Sequence, residues 1–104
     1  AAKHGLLGLT KVAALEMGTA NITCNAICPG WVLTPLVQKQ IDDRAASEGK
    51  SAAEVAAEML GEKQVTGRFS TPEQIGALTL FLCSPAAINI TGSAYSIDGG
   101  WTAA

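Results

Sequence analysis

The chain has 104 residues, 48% hydrophobic and 15% charged, with a formal net charge of −2. This composition is too apolar for a disordered tail and lacks the basic surface that nucleic-acid binding needs, so we expect no nucleic-acid partner. It forms at most one ordinary domain; without a run of roughly 20 apolar residues or a signal-peptide pattern, we expect no membrane partner either.

Residues 4–18 carry the spacing of an α-helix. Leu6, Leu9 and Met17 recur at helical intervals, and other apolar residues extend this surface far round the helix. We therefore expect the helix to be covered on most sides by a sheet, with a second subunit as a further candidate. A turn and a mostly apolar strand at residues 22–28 follow, which is the αβ half of a parallel sheet covered on both faces.

Residues 36–66 differ in composition, because most of the charged residues of the chain lie here. The pattern predicts a short amphipathic turn around Val37 and Ile41 and a second helix that begins at Ser51, with Gly49 between them. Two charged helices between a strand and the next core element are typical of a flap over a site. A solvated surface excursion is the alternative.

The last third of the chain has the clearest signals. The stretch Thr71–Gln74 reads Thr-Pro-Glu-Gln, a capping-box pattern with proline at the first helical position. We expect a helix that ends at Ser84-Pro85, with a buried face formed by Ile75, Leu78, Phe81 and Leu82. A final strand at residues 94–97 then ends in a tight turn at residues 98–100. The order of elements indicates an α/β fold.

The exit of the first strand is the first place to look for a ligand, since open α/β sheets bind ligands beyond the carboxyl ends of their strands. Pro29 and Gly30 end the ladder and allow another group to approach the backbone closely. Beyond them, the backbone of Val32 and the hydroxyl of Thr34 suit a flat amide-bearing ring better than a phosphate. An ordinary strand-ending turn is the alternative.

Four other side chains are candidates for chemistry. Lys3 begins a mostly apolar helix, where a lysine either snorkels to solvent or is held as a fixed cation. Trp31 and Trp101 each follow a glycine at a strand exit, whereas core tryptophans lie more often within elements. Gln40, at the base of the flap, has an amide that can orient a carboxylate, although an exposed helical residue is the simpler interpretation.

The three cysteines favour a reducing compartment, because an odd number argues against a disulfide framework. Cys24 and Cys28 share one face of the predicted strand, but no second pair of ligands completes a metal-binding pattern. We interpret all three, with Cys83 in an apolar helical run, as buried thiols that act as small hydrophobes. The sequence therefore predicts no metal site and a cytoplasmic location.

Three stretches, in order, resemble the C-terminal part of the short-chain dehydrogenase/reductase family. AAKHGLLGLTKVAALE resembles the segment after the tyrosine of the Tyr-x-x-x-Lys motif, and CNAICPGWVLTP resembles the Asn-x-x-x-Pro-Gly strand exit. RFSTPEQIGALTLFLCSPAAINITGSAYSIDGG resembles the last helix and strand. Each motif is weak alone, but the ordered set covers essentially the whole chain.

The resemblance implies a fold and a domain organisation. Residues 1–104 are expected to be the C-terminal part of a Rossmann-like doubly wound parallel sheet. Residues 36–66 would form an inserted helical substrate flap, and the N-terminal cofactor-binding half of the domain would be absent. The resemblance further implies an oxidoreductase that uses NAD on a small hydroxy-acid substrate, as a homotetramer in its complete form.

Site residues follow from the resemblance position by position. Lys3 corresponds to the catalytic lysine, which binds the nicotinamide ribose and favours ionisation of the motif's tyrosine. The positions on the cofactor side are Lys3, Asn25, Pro29, Gly30, Val32, Thr34 and Leu36. Gln40 corresponds to a substrate-carboxylate position, and Trp31 and Trp101 would pack about the substrate.

Two alternatives remain open at this point. One is another short-chain reductase, such as an enzyme that reduces 3-oxoacyl chains on a carrier protein. The other is a non-catalytic module that associates through its apolar helices.

The 104 residues by themselves are predicted to be inactive. The motif's tyrosine would stand before Ala1, and the family's glycine-rich phosphate loop, catalytic serine and coenzyme-selecting acidic residue are not in the chain. NAD-linked oxidation of a short hydroxy acid by the isolated 104-residue chain, followed by the absorbance of the reduced coenzyme, would contradict this prediction.

Overall fold

The computed structural model describes residues 2–61 and 63–103. Within them lie the helices α1 (Ala2–Met17), α2 (Pro35–Glu48), α3 (Ala52–Gly61) and α4 (Pro72–Leu82), and the strands β1 (Ala26–Pro29) and β2 (Ala94–Ile97). The two strands pair in parallel, which confirms the α/β class. Among the described residues, none of the helices has the length and apolar character needed to cross a membrane.

The chain forms two compact units. The first comprises residues 1–28 and 76–96, and the second comprises residues 29–75 and 97–104. The division falls within α4 and before the last residue of each strand.

In the first unit, the Asn25 side chain makes hydrogen bonds where the sequence predicts backbone pairing of a strand. The Asn25 amide donates from Nδ2 to the carbonyl of Ile90 at 2.9 Å and accepts at Oδ1 from the N–H of Ser93 at 3.2 Å. Regular strand geometry begins only at Ala26. The predicted strand at 22–28 therefore begins too early, because side-chain bonds of Asn25 and Thr91 replace part of the ladder before Ala26.

The apolar surface of α1 is largely exposed within the described structure. Ala14 is buried, but Leu15 is 85% exposed. Beyond the neighbouring residues and the backbone of α1 itself, no described heavy atom lies within 4 Å of the place where a Cβ on Gly5 or Gly8 would project. The described residues do not supply the cover that the sequence predicts for this helix. The exposed apolar side chains are Leu6, Leu9, Val12, Leu15 and Met17.

α4 begins as its sequence predicts. The hydroxyl of Thr71 accepts from the N–H of Gln74 at 3.2 Å, and the Gln74 side chain accepts from the N–H of Thr71 at 2.9 Å, which completes a capping box. The face that the sequence predicts to be buried is more exposed than expected, since Phe81 is 46% exposed. No residue of α4 is fully buried, because the described residues place no second layer over this face.

The second unit is built on a helical hairpin, α2 and α3, with a hydrophobic cluster of its own. Val55 is fully buried and Ile41 is 2% exposed, and Ala45 completes the buried set. The partly buried side chains packed against them are Val37, Ala56, Met59 and Phe69. The segment predicted as a short turn is a 14-residue helix. The hairpin is thus more than a solvated excursion.

The backbone beyond β1 changes its hydrogen-bonding partner at Gly30. Its N–H donates to the carbonyl of Ile97 at 3.3 Å, which is the last bond toward β2 in the second unit. Ser70 then takes over: its N–H donates to the carbonyl of Trp31 at 3.0 Å, and its carbonyl accepts from the N–H of Leu33 at 2.9 Å. The strand exit is therefore an ordered, paired segment.

Gln64 occupies the space beside this exit. It is 1% exposed; its Oε1 accepts from the N–H of Trp31 and its Nε2 donates to the carbonyl of Arg68 at 2.5 Å. A Cβ placed on Gly30 would lie 2.5 Å from the Gln64 Oε1 and 3.0 Å from the Asp98 backbone. The close approach predicted at Gly30 is real in the fold, and the approaching group is the protein's own amide.

Gly30→Ala should lower the free energy of unfolding by about 1–3 kcal/mol, since the added methyl group overpacks the Gln64 amide. Gly76→Ala in α4 is the matched control, because no heavy atom of the surrounding structure lies within 4 Å of its Cβ position. That variant should be neutral or more stable by up to about 1 kcal/mol. Urea unfolding of both variants measures the difference; equal stabilities would contradict the packing.

Candidate functional site

The second unit contains an open cleft of about 370 Å³. Its wall combines the exit of β1 with side chains from α2 and α3. The lining residues are Trp31, Gln40, Arg44, Glu58, Met59 and Lys63. The fold thus brings Trp31 and Gln40, two of the three residues expected to bind substrate, to one cavity.

Trp31 is fixed in the cleft wall through its backbone. Its N–H is bound by Gln64 and its carbonyl by the N–H of Ser70, so the main chain has little freedom. The indole Nε1–H is buried and has no acceptor among the residues that the structure describes. The Trp31 position is therefore set by the loop at residues 64–70, which lies more than thirty positions along the chain.

Ion pairs neutralise two of the charged residues in the cleft. The Arg44 guanidinium lies 2.5 Å from Glu48 and 2.8 Å from Glu58, and the Lys50 ammonium lies 2.7 Å from Glu58. The hydrogen bond from Arg44 lowers the pKa of Glu48, and the bond to Glu58 raises the pKa of Lys50. These bonds join α2 to α3 and leave Arg44 and Glu58 with their charges matched.

Lys63 is the remaining charged residue of the cleft. Its Nζ lies 5.0 Å from the ring centroid of Trp101, a cation–π distance. It makes no ion pair with any carboxylate in the described part of the chain. Trp101 does not itself line the cleft and is 39% exposed, so Lys63 is what connects this second tryptophan to the cavity.

The residues expected on the cofactor side differ in the hydrogen-bonding groups that they leave available to a ligand. Across residues 2–61 and 63–103, the N–H and carbonyl of Val32 have no protein partner, because the bridge to Ser70 uses the flanking residues. The hydroxyl of Thr34 caps α2 by accepting from the N–H of Val37 at 3.2 Å, which leaves its own hydrogen free to donate. Pro29 ends β1, and Leu36, in the first turn of α2, is 66% exposed.

Lys3 and Asn25 lie in the first unit, and the other predicted site residues lie in the second. Lys3 is exposed in the first turn of α1. Both ends of the Asn25 amide are already bound within the protein, so this side chain fixes the start of β1. The catalytic and cofactor roles assigned to these two residues by resemblance remain predictions.

None of the three cysteines is fully buried, which differs from the prediction. Cys24 and Cys28 are half-buried, but Cys83 is exposed, because it lies just beyond the end of α4. In the part of the chain that the structure describes, no three His, Cys, Asp or Glu side chains are grouped so that they could hold a metal ion.

Gln64 and Asp98 shape the site, but sequence reasoning missed both. Gln64 stands in a charged stretch and has no pattern that marks it as buried. The sequence marks Asp98 only as a turn residue, yet its carboxylate accepts from the Thr102 hydroxyl at 2.7 Å, the Thr102 N–H at 3.2 Å and the Gly100 N–H at 3.1 Å. An aspartate before two glycines was the available signal for this cap.

Comparison with known proteins gives consistent matches along the chain. A family model described as enoyl-(acyl carrier protein) reductase matches residues 1–102. A protein named D-beta-hydroxybutyrate dehydrogenase from Cupriavidus necator is 53% identical over 99% of this chain, and one of the same name from Rhizobium meliloti is 50% identical over 99%. The chain spans 40% of the length of each of these relatives.

A solved structure gives the same result for the fold. L-sorbose reductase from Gluconobacter frateurii, determined with NADPH and L-sorbose, matches with a TM-score of 0.88 and 33% identity. The match covers 95% of this chain and 38% of that protein. The described elements therefore correspond to part of a Rossmann-like domain, as the sequence predicts.

Asp98→Asn should change how stability depends on pH. The Thr102 hydroxyl, followed by the N–H groups of Thr102 and Gly100, lowers the pKa of Asp98 against the opposing effect of burial. A lowered pKa stabilises the fold above the ordinary value of about 4, and this stabilisation is lost as the pH falls below it. Urea unfolding across this range should show a shallower acid-side decline for Asp98→Asn; parallel curves would contradict the assignment.

Proposed function

Because this chain belongs to the short-chain dehydrogenase/reductase family, we propose that the natively expressed protein oxidises (R)-3-hydroxybutyrate reversibly to acetoacetate with NAD. The observation that carries the proposal is one small cleft that contains both the Gln40 amide and the Trp31 indole. An amide can orient a carboxylate, and an indole supplies apolar surface for a short carbon chain. A four-carbon hydroxy acid matches both.

The names of the relatives support this substrate. The two dehydrogenases that are 50–53% identical are named for D-beta-hydroxybutyrate. Family membership implies a nicotinamide coenzyme, but the L-sorbose reductase structure holds NADPH. We propose NAD on the strength of the resemblance to the hydroxybutyrate enzymes.

The strand exit has groups that fit a nicotinamide. A carboxamide carries one carbonyl and one amino group, and the unpaired N–H and carbonyl of Val32 are complementary to them. The Thr34 hydroxyl can donate to the same group, with Pro29, Gly30 and Leu36 shaping that side of the site. What a bound nicotinamide supplies is acceptance of a hydride from a carbinol carbon.

We propose that Lys3 acts through its positive charge. It would bind ribose hydroxyls and favour ionisation of the tyrosine that the resemblance places four positions before Lys3. That tyrosine then takes the proton of the substrate hydroxyl as general base. Asn25 contributes by holding the start of β1, from which the strand exit follows.

The hairpin of α2 and α3 would act as the substrate flap, which places residues 36–66 over the hydroxy acid and excludes water before hydride transfer. We also propose that the complete protein is a cytoplasmic homotetramer. The exposed apolar side chains of α1, and Leu80 and Phe81 of α4, support association with further surface.

A reductase of acyl chains on a carrier protein is the second candidate, favoured by the description of the matching family model. A long pantetheine-linked chain needs an extended groove. The cleft has a volume of only about 370 Å³ and is lined in part by Trp31 and Lys63. Substrate selectivity separates the two candidates: efficient reduction of a 3-oxoacyl thioester, without activity on 3-hydroxybutyrate, would favour the second.

Gln40→Ala in the natively expressed protein should raise the KM for 3-hydroxybutyrate roughly tenfold and leave the KM for NAD unchanged, since it removes a hydrogen bond to a charged group. Gln38→Ala is the control, because Gln38 bonds Asp42 at 3.1 Å on the same helix and, unlike Gln40, does not line the cleft. Initial-rate kinetics measures both constants. An equal rise in the two KM values would remove Gln40 from the substrate site.

A further inference from the structure

The charge balance of the cleft selects the kind of ligand that it can hold. Arg44 and Glu58 line the cleft as a matched pair, and Glu58 is also bound by Lys50. Lys63 is left as a cation without a carboxylate partner among the described residues. The cleft thus presents one net positive charge beside a neutral amide, an arrangement that favours a small anion.

We propose that Lys63 binds the carboxylate of the substrate and makes the cleft selective for acids over their uncharged analogues. Lys63 and Gln40 line the same cavity. One carboxylate oxygen can therefore accept a hydrogen bond from the Lys63 ammonium, and the other can accept one from the Gln40 amide. The ammonium supplies the attraction, and the amide sets the direction of the carboxylate. This inference rests on the proposed function and deepens it by naming a substrate-binding residue.

Trp101 gives Lys63 a defined position. A lysine side chain is long and flexible, and ordering it opposes binding. The Trp101 ring, 5.0 Å from Nζ, holds the ammonium by a cation–π contact before substrate arrives. The same contact explains how Trp101 influences substrate without lining the cleft. The residue acts through Lys63 as a positioning residue.

The geometry of the Lys63 segment agrees with this role. Its N–H donates to the carbonyl of Leu60 at 2.9 Å, which ties the backbone of Lys63 to the last turn of α3. The next residue, Gln64, is buried and bonded to Trp31 and Arg68. Lys63 is therefore placed between two fixed points, the end of α3 and the amide beneath Trp31.

The experiment compares an acid with its methyl ester in the natively expressed protein. Lys63→Met keeps the length of the side chain and removes the charge, and Lys63→Arg keeps the charge. Lys39→Met is the matched control, since Lys39 pairs with Asp43 at 3.1 Å on the exposed face of α2 outside the cleft. Calorimetric titration with (R)-3-hydroxybutyrate and its methyl ester, with NADH present, gives Kd. Steady-state rates with NAD give KM and kcat.

The proposal expects Lys63→Met to weaken binding of the acid roughly tenfold, as for a charged hydrogen bond that solvent partly screens, without weakening the ester. Lys63→Arg should recover most of the loss, and Lys39→Met should show none. Added salt should weaken acid binding in the native protein and have less effect in Lys63→Met. Trp101→Leu should reproduce part of the loss for the acid.

Other outcomes overturn one proposal or the other. Equal weakening of acid and ester in Lys63→Met, or no weakening of either, overturns the role of Lys63 while turnover of 3-hydroxybutyrate still stands. If Lys63→Met selectively loses binding of the acid but the native protein does not turn over 3-hydroxybutyrate, the proposed function is overturned and the anion site is supported. Absence of measurable acid binding to the native protein overturns the role of Lys63.

Discussion

The buried amide of Gln64 is the contact on which the second unit depends. It accepts from the backbone N–H of Trp31 and donates to the carbonyl of Arg68, so it ties the strand exit to the loop that follows α3. A buried amide that loses one of these partners is left with an unpaired polar atom, which costs about 1–3 kcal/mol. The orientation of Trp31 and the path of the loop are therefore linked through one side chain.

Two glycines make room for that amide. Gly30 leaves the space that the Gln64 oxygen occupies, and Gly99 lies against the other side of the same side chain, where a Cβ would come 3.0 Å from the Gln64 Cβ and 2.7 Å from the Thr66 Oγ1. Gly99 also has a φ of +62°, which an L side chain rarely adopts. Asp98 completes the turn by capping the N–H groups after it. The Pro-Gly and Asp-Gly-Gly breaks thus serve one packing arrangement.

The charged residues of the hairpin divide into two groups with different consequences. Arg44, Glu48, Lys50 and Glu58 bind one another and fasten α2 to α3 over the Ile41 and Val55 cluster. Lys63 stands outside this network, against the Trp101 ring. Pairing within the first group joins the two helices of the hairpin. Lys63, which has no carboxylate partner among the described residues, gives the cleft its net positive charge. A segment that in composition is simply polar therefore contains both a structural network of ion pairs and the lysine on which the proposed anion site depends.

The sequence by itself determined the α/β class, the Thr71 capping box, the final strand and the family, because these depend on local periodicity and on short motifs. It also named Trp31 and Gln40 as candidates, and the structure brings both to one cleft. Only the tertiary structure decided that Gln64 is buried, that Lys63 faces Trp101 and that β1 begins at Ala26. The physical reason is that burial and pairing depend on contacts between residues more than thirty positions apart, which no local pattern records.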